Sequence, residues 1–565
     1  MSRNGTGTDS GASTDADVVI VGSGVAGALI AARLASAGAR VVVLEAGPRT
    51  DRDTVVMRFR GGAKPYESPE WAPQPTANDL DYYYVQAGAM KFGSDYERRV
   101  GGTTWHWLGN CPRLVPSDFE MKTRYGVGVD WPISYEELEP WYADAERELG
   151  VAGDESQNGG SPRSGPYPLP PLPLASGDLM FRDAAATLGL ELLATPQARN
   201  SVDGYQGRPQ CCGNATCIPV CPIQAKYDAT VHLDLAERAG ARIVENAVVS
   251  RVVTGADGLI SGVTYLSPDR SETTLTARVY VVAANGIETP KLLLMSRGDG
   301  APNGVANSSD QVGRNLSDHP EARVSAVAPR PYAGSRGPLQ LAGIDSLRDG
   351  SFRSERAALR FQVSQSVGNP NTVASTLIRQ GLVGKELFDR IGQVAPYQVR
   401  LASMLEQLPD PANRVLPDET QRDPLGLPRP KLIYSHDDYT DRGWTAATEL
   451  HDQILTAIGA TEIVHEDELG GVGHIMGTVR MGDDPKASVT DGYGRTHDHA
   501  NLFLAGCGLF PTMGTANPTL TISALALRTA ATIGDQLGVI VQATPAATPV
   551  SRSREVRRRH SPLVW

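Results

Sequence analysis

The stretch from Asp17 to Glu45 constrains the fold more than any other part of the chain. Asp17–Val21 (DVVIV) is a short apolar, β-branched run of the kind that forms a buried parallel strand. Gly22-Ser23-Gly24-Val25-Ala26-Gly27 follows at once, then an Ala/Leu-rich stretch to Ala37, with Gly38 placed to end a helix. Arg40–Leu44 (RVVVL) reads as a second strand and delivers Glu45 at its end. Strand, G-x-G-x-x-G turn, helix, strand and acid together make a dinucleotide-binding unit. Gly22 permits the tight turn, Gly24 lets a pyrophosphate approach the backbone, and Gly27 lets helix and strand pack closely. The helix N-terminus offers unpaired N–H groups to phosphate, and Glu45 can accept hydrogen bonds from ribose hydroxyls.

FAD and NAD share this fingerprint, so the choice between them rests on the rest of the chain. Val279–Gly286 (VYVVAANG), with a helix expected from Thr289, and Asn501–Gly506 (NLFLAG) are further strand-to-glycine junctions. Placed in one sheet, the three make a discontinuous nucleotide domain with other material inserted. That suits a flavoprotein better than a compact NAD domain. The 565 residues carry 53 Lys plus Arg against 64 Asp plus Glu, a net charge of −11 that argues against a generic nucleic-acid binder. No apolar run approaches the roughly 18 residues of a membrane helix. Residues 1–16 lack the apolar segment of a secretory signal. The expectation is therefore a cytoplasmic protein, or a periplasmic or membrane-associated one if a companion subunit carries it across. The Arg-rich C-terminal stretch from about Val541 reads as a solvated tail.

Four of the six cysteines (Cys211, Cys212, Cys217 and Cys221) fall within eleven residues, with Pro222 after the last. The spacing, C-x4-C-x3-C or C-x5-C-x3-C, is of the type that ligates iron–sulfur clusters. Zinc, with a remote fourth ligand such as His232, and a disulfide or free thiols are the alternatives.

With these pieces in place, the chain resembles the glucose–methanol–choline (GMC) oxidoreductases over nearly its full length. Within them it is most similar to the large catalytic subunits of bacterial FAD-dependent glucose, gluconate, sorbitol and fructose dehydrogenases. The segments that carry the resemblance include GGTTWHW (101–107), CCGNATCIPVCPIQAKYDA (211–229), AANGIETPKLLL (283–294), HIMGTVRMG (474–482) and GTANPTLTISALALR (514–528).

The resemblance implies an α/β plus α+β architecture. A Rossmann-like, discontinuous FAD-binding domain (16–319 and 471–540) would flank a substrate domain on an antiparallel sheet (320–470), with residues 1–15 and 541–565 as tails. It implies His474 as the base that removes a hydroxyl proton and Asn517 as the group that holds the same oxygen. Gly101, Gly102, Thr103, Thr104, His106 and Trp107 would lie at the flavin. Val248, Ala284, Gly286 and Gly506 would complete its cradle, with Pro518 and Thr519 opening a helix toward its pyrimidine. His106 follows Trp105 where relatives that bind flavin covalently have a different local pattern, so non-covalent FAD is expected. By the same resemblance Cys211, Cys217 and Cys221 (or Cys212 in place of Cys211) would hold a [3Fe-4S] cluster. Electrons would then pass to a small companion subunit, a c-type cytochrome or a quinone. The expected activity is oxidation of a sugar or polyol C–OH to C=O; the rival is an oxidase resembling pyranose oxidases, which would use dioxygen.

Overall fold

The apolar runs fold as parallel strands covered on both faces, because their residues leave no polar side to solvent. In the computed structural model, which describes residues 14–63, 68–76, 79–157, 159–332, 337–364 and 370–543, Val18, Val19 and Ile20 are completely buried. Most of both terminal tails, Arg552 to Arg559 included, lies outside the described residues. The nucleotide sheet has five parallel strands in the order Leu502–Leu504, Ala277–Val282, Ala16–Val21, Val41–Leu44 and Arg242–Val244. All three strand-to-glycine junctions thus open at the same edge of one sheet, although about 480 residues separate the first from the last. The opening helix, Val25–Ser36, is rich in Ala and packs closely against the closing helix, Thr519–Leu537. The helix after Val282 begins at Asn285 rather than Thr289. The Asn285 side chain accepts from the N–H groups of Ile287 (2.8 Å) and Glu288 (3.0 Å) and so caps the turn four residues earlier.

The second large sheet is antiparallel. Its strands run in the order Thr461–His465, Pro320–Val327, Gln398–Leu405, Leu359–Ser364 and Gln340–Ile344. The helix Asp438–Ala457 lays Ala447, Leu450, Ile454 and Leu455 against it. Leu193–Ala194, from outside the 320–470 interval, pairs with Gln340–Ile344 and covers an otherwise open edge. Met180 and Phe181 join the same apolar core, so this layer draws on a segment well before residue 320.

Candidate active site

A cavity of about 1190 Å³ lies between the two sheets. At its nucleotide end each glycine of the turn has a separate steric reason. A Cβ on Gly22, whose φ is +100°, would stand 2.5 Å from the Ala283 carbonyl oxygen, and one on Gly27 would stand 2.0 Å from that of Gly22. A Cβ on Gly24 would meet nothing within 4 Å, because Gly24 faces the cavity. Gly24 also precedes the first turn of the opening helix, so free N–H groups face that space.

Ser23, unremarked in the sequence reading, ties this loop to the next. Its Oγ donates to Glu45 (2.6 Å) and accepts from the Gly101 N–H (3.1 Å). Glu45 also accepts from the N–H groups of Ser23 (3.1 Å) and Gly47 (2.9 Å), while burial raises its pKa. A carboxylate has about four acceptor positions, so one is left for a ribose hydroxyl. Gly102, Thr103, Thr104, His106 and Trp107 line the cavity with Val248, Ala284 and Gly506. Gly101 lies beneath that surface in a left-handed turn (φ +98°). Gly286 also stands outside the lining, where a Cβ would lie 2.2 Å from the Ile475 carbonyl oxygen. Its requirement is chain-on-chain approach. His106 is held by Glu97 (2.9 Å) and Trp107 by the Tyr227 carbonyl (2.7 Å).

The other end of the cavity carries His474, Asn517, Pro518 and Thr519. The closing helix starts at Thr519 and directs its N-terminal N–H groups and dipole there. Asp318, two residues before the antiparallel strand Pro320–Val327, is buried and accepts four backbone N–H groups. These are His319 (2.7 Å), His474 (2.8 Å), Gly473 (3.0 Å) and Val472 (3.1 Å). One carboxylate therefore fixes the loop on which His474 sits. Desolvation, then the neighbouring His319, pushes the His474 pKa well below 6.5, so the ring is neutral at physiological pH. Asn517, Gln362 and Asn110 line this cavity, and their amide oxygens are buried and without a partner among the described residues. Gln362 and Asn110 were not legible as site residues: a strand and a loop distant in sequence bring them together.

The cysteine segment lies behind the flavin loop. Cys217 and Cys221 are buried, Cys211 is half-buried and Cys212 is exposed. Ile218 and Pro219, between the first two of these, line the cavity. Arg199, fully buried, contacts the thiols of Cys211 and Cys217 and also feels the field of Cys221. Lys226, also buried, donates to the carbonyls of Cys217 (2.9 Å), Trp105 (3.0 Å) and Trp107. Neither cation contacts a carboxylate among the described residues. Burial draws the Lys226 pKa down to about 7 and raises that of the Cys211 thiol; the Arg199 charge calls for nearby anions, and the sulfurs of Cys211 and Cys217 are the groups at hand. The donor set therefore fits an anionic thiolate-bound cluster in its chemistry. Among the described residues, however, no three Cys, His, Asp or Glu side chains are gathered closely enough to hold a metal ion.

Comparison with known proteins matches residues 173–321 and 409–526 to the two GMC oxidoreductase profiles and residues 17–95 to an FAD binding domain. The chain is 40% identical to the fructose dehydrogenase large subunit of Gluconobacter japonicus over 92% of its own length and 98% of that protein. It is 30% identical to paromamine 6'-oxidase of Streptomyces fradiae, covering 92% of each. With the gluconate 2-dehydrogenase flavoprotein of Pantoea cypripedii it shares 24% identity, over 93% of this chain and 95% of that one. The crystal structure of pyridoxine 4-oxidase from Mesorbium loti superposes with a TM-score of 0.63 at 20% identity, over 92% of this chain and 99% of that one. At that identity the likeness is one of fold.

Proposed function

Because the chain belongs to the GMC oxidoreductases, FAD-dependent enzymes acting on alcohol groups, we propose that it is a sugar or polyol dehydrogenase that delivers its electrons to a redox partner. The observation that carries the substrate class is the trio of residues with unpartnered amide oxygens, Asn517, Gln362 and Asn110, that line one cavity. A buried acceptor left unsatisfied costs about 1–3 kcal/mol. A ligand with several hydroxyls offers donors to all three of these cavity-lining amides, whereas a simple alcohol offers one. The name of the 40% identical relative puts fructose first in the substrate panel.

His474 takes the proton of the hydroxyl borne by the carbon that loses hydride. Asn517 donates an amide N–H to the same oxygen as negative charge builds on it. FAD, bound without a covalent link by the Gly24 turn, the Gly102–Trp107 loop and Glu45, supplies the hydride acceptor. The N-terminal N–H groups of the closing helix stabilise negative charge at that end of the cavity. Cys211, Cys217 and Cys221 would hold a [3Fe-4S] cluster, which would supply one-electron transfer toward a companion subunit, cytochrome or quinone. Arg199 contacts Cys211 and not the exposed Cys212, which favours Cys211 as the ligand. No helix among the described residues is long and apolar enough to cross a membrane.

An anaerobic absorption spectrum with iron and acid-labile sulfide assays, before and after a sugar panel, tests the reading. Flavin bands over broad iron–sulfur absorbance, bleached by a sugar, are expected. Flavin without iron after reconstitution, together with stoichiometric peroxide under air, would replace it with an oxidase.

A further inference from the structure

His319 has no role in the chemistry so far. It is completely buried, with its ring perpendicular to that of His474 at a centroid distance of 5.0 Å. Its Nε2 lies 3.0 Å from the Gly514 carbonyl oxygen, and its Nδ1 lies 2.7 Å from Nδ1 of His474. A carbonyl oxygen only accepts, so His319 Nε2 must carry a hydrogen. The groups around the His319 ring are the Met513 carbonyl beside that of Gly514, Glu406 and Arg348 at a distance, Asp318 next in sequence and His474 in contact; within hydrogen-bond geometry only the Gly514 carbonyl and His474 are met among the described residues. Asp318 is taken up by four backbone N–H groups, and no carboxylate touches the ring among the described residues. A second proton on His319 would be a buried charge without an ion-pair partner. In agreement, burial draws its pKa down to about 4. Its Nδ1 is therefore an acceptor, and the hydrogen shared by the two rings belongs to His474 Nδ1.

We infer that His319 is a positioning residue that fixes His474 as the Nδ1–H tautomer and so leaves the His474 Nε2 lone pair free to take the substrate proton. The chain of donors runs in one direction, from His474 Nδ1–H to His319 Nδ1 and from His319 Nε2–H to the Gly514 carbonyl. Gly514 opens the Gly514–Asn517 segment, so the relay also sets the base against the residue that holds the substrate oxygen. When His474 becomes an imidazolium, the same hydrogen bond stays in place and steadies the charge. No proton need cross between the rings.

The inference rests on His474 being the base, and the test separates the two. A carboxamide offers one acceptor and one donor, so His319→Gln keeps the direction of the relay, and His319→Leu abolishes it. With FAD content and KM little changed, His319→Leu is expected to lose about 10²–10⁴ in kcat, the range of a general base or of its tautomer control. His319→Gln is expected to stay within about tenfold of wild type. Selective ¹⁵N-histidine NMR of the wild-type holoenzyme, with His474 assigned by its loss in His474→Ala, reads the tautomer directly and does not depend on either His319 variant folding. Protonated Nδ1 with unprotonated Nε2 is expected. The reverse tautomer, or His319→Leu within threefold of wild-type kcat while His474→Ala is inactive, overturns the relay and leaves the base in place. Full flavin reduction by His474→Ala removes the base itself.

Discussion

Gly24 and Gly27 stand three residues apart in one turn, yet a methyl group added to each meets different surroundings. The Gly27 methyl would stand 2.0 Å from a backbone oxygen, that of Gly22, which cannot rotate away. Relieving that overlap requires the helix to move off the strand, and overpacking of this kind costs at least about 1–3 kcal/mol. The Gly24 methyl meets nothing within 4 Å, and the backbone there (φ −66°, ψ −174°) suits any residue. Gly24→Ala should leave the apoprotein as stable as wild type, or more stable by about 0.4–1 kcal/mol through the unfolded state. In the proposed FAD complex its methyl would occupy the approach of the pyrophosphate. Displacing the phosphates by one charge-assisted hydrogen bond forfeits about 1.5–3 kcal/mol, which is roughly 10- to 150-fold in FAD affinity. The assay is thermal unfolding of the two apoproteins alongside titration with FAD by flavin fluorescence. Wild-type FAD affinity in Gly24→Ala would refute the phosphate approach, and an unaltered melting temperature in Gly27→Ala would refute the rigidity of the helix–strand contact.

His474→Ala should keep its flavin absorbance but lose about 10²–10⁴ in the rate of anaerobic flavin reduction by sugar; stopped-flow bleaching at 450 nm or thereabouts measures it. Cys217→Ser should lose iron and sulfide while Cys212→Ser retains both, read by elemental analysis of anaerobically prepared protein; equal iron in the two would disqualify the buried thiols. His451, on the helix Asp438–Ala457, is fully buried against the second sheet, and burial lowers its pKa to about 3. Below about pH 6.5 the unfolded chain binds a proton that the folded ring refuses, so its contribution is complete above that pH and declines toward pH 3. Replacing it by Gln should flatten the fall in unfolding free energy between pH 7 and 5 by about 2 kcal/mol relative to wild type. Parallel denaturation curves at the two pH values would contradict this.

The nucleotide unit was legible because its signals are local: strand, turn, helix and acid lie within thirty residues. The discontinuous sheet was legible in part: the returning strands Ala277–Val282 and Leu502–Leu504 carry glycine junctions, whereas Arg242–Val244 carries none and was missed. Gly101 and Gly286 show the limit of that logic. A glycine that lets another chain segment pass and a glycine that lets a ligand approach are written with the same letter. His319 was hidden for another reason. It lies 155 positions from His474, and only the pairing of the antiparallel layer with the 472–474 loop puts their rings in contact. Asn110 and Gln362 were hidden likewise, because which side of a strand faces the cavity is decided by its neighbours. The helix that starts at Asn285 was placed too late because the side-chain cap outweighed the expected start at Thr289.

The opening helix, Val25–Ser36, leans on the closing helix, Thr519–Leu537, and the central strand Ala16–Val21 reaches Leu502–Leu504 through Ala277–Val282. This has a consequence for biosynthesis. At ribosomal speeds of about 5–20 residues per second, the apolar first unit waits on the order of 25–100 s for its last partners. The antiparallel layer, by contrast, has all of its strands once His465 and Gly471 have emerged. Folding on the ribosome therefore runs from the middle of the chain outward, and the nucleotide layer closes last. A ribosome-stalled chain ending before Leu502 should then carry a folded antiparallel layer and no flavin.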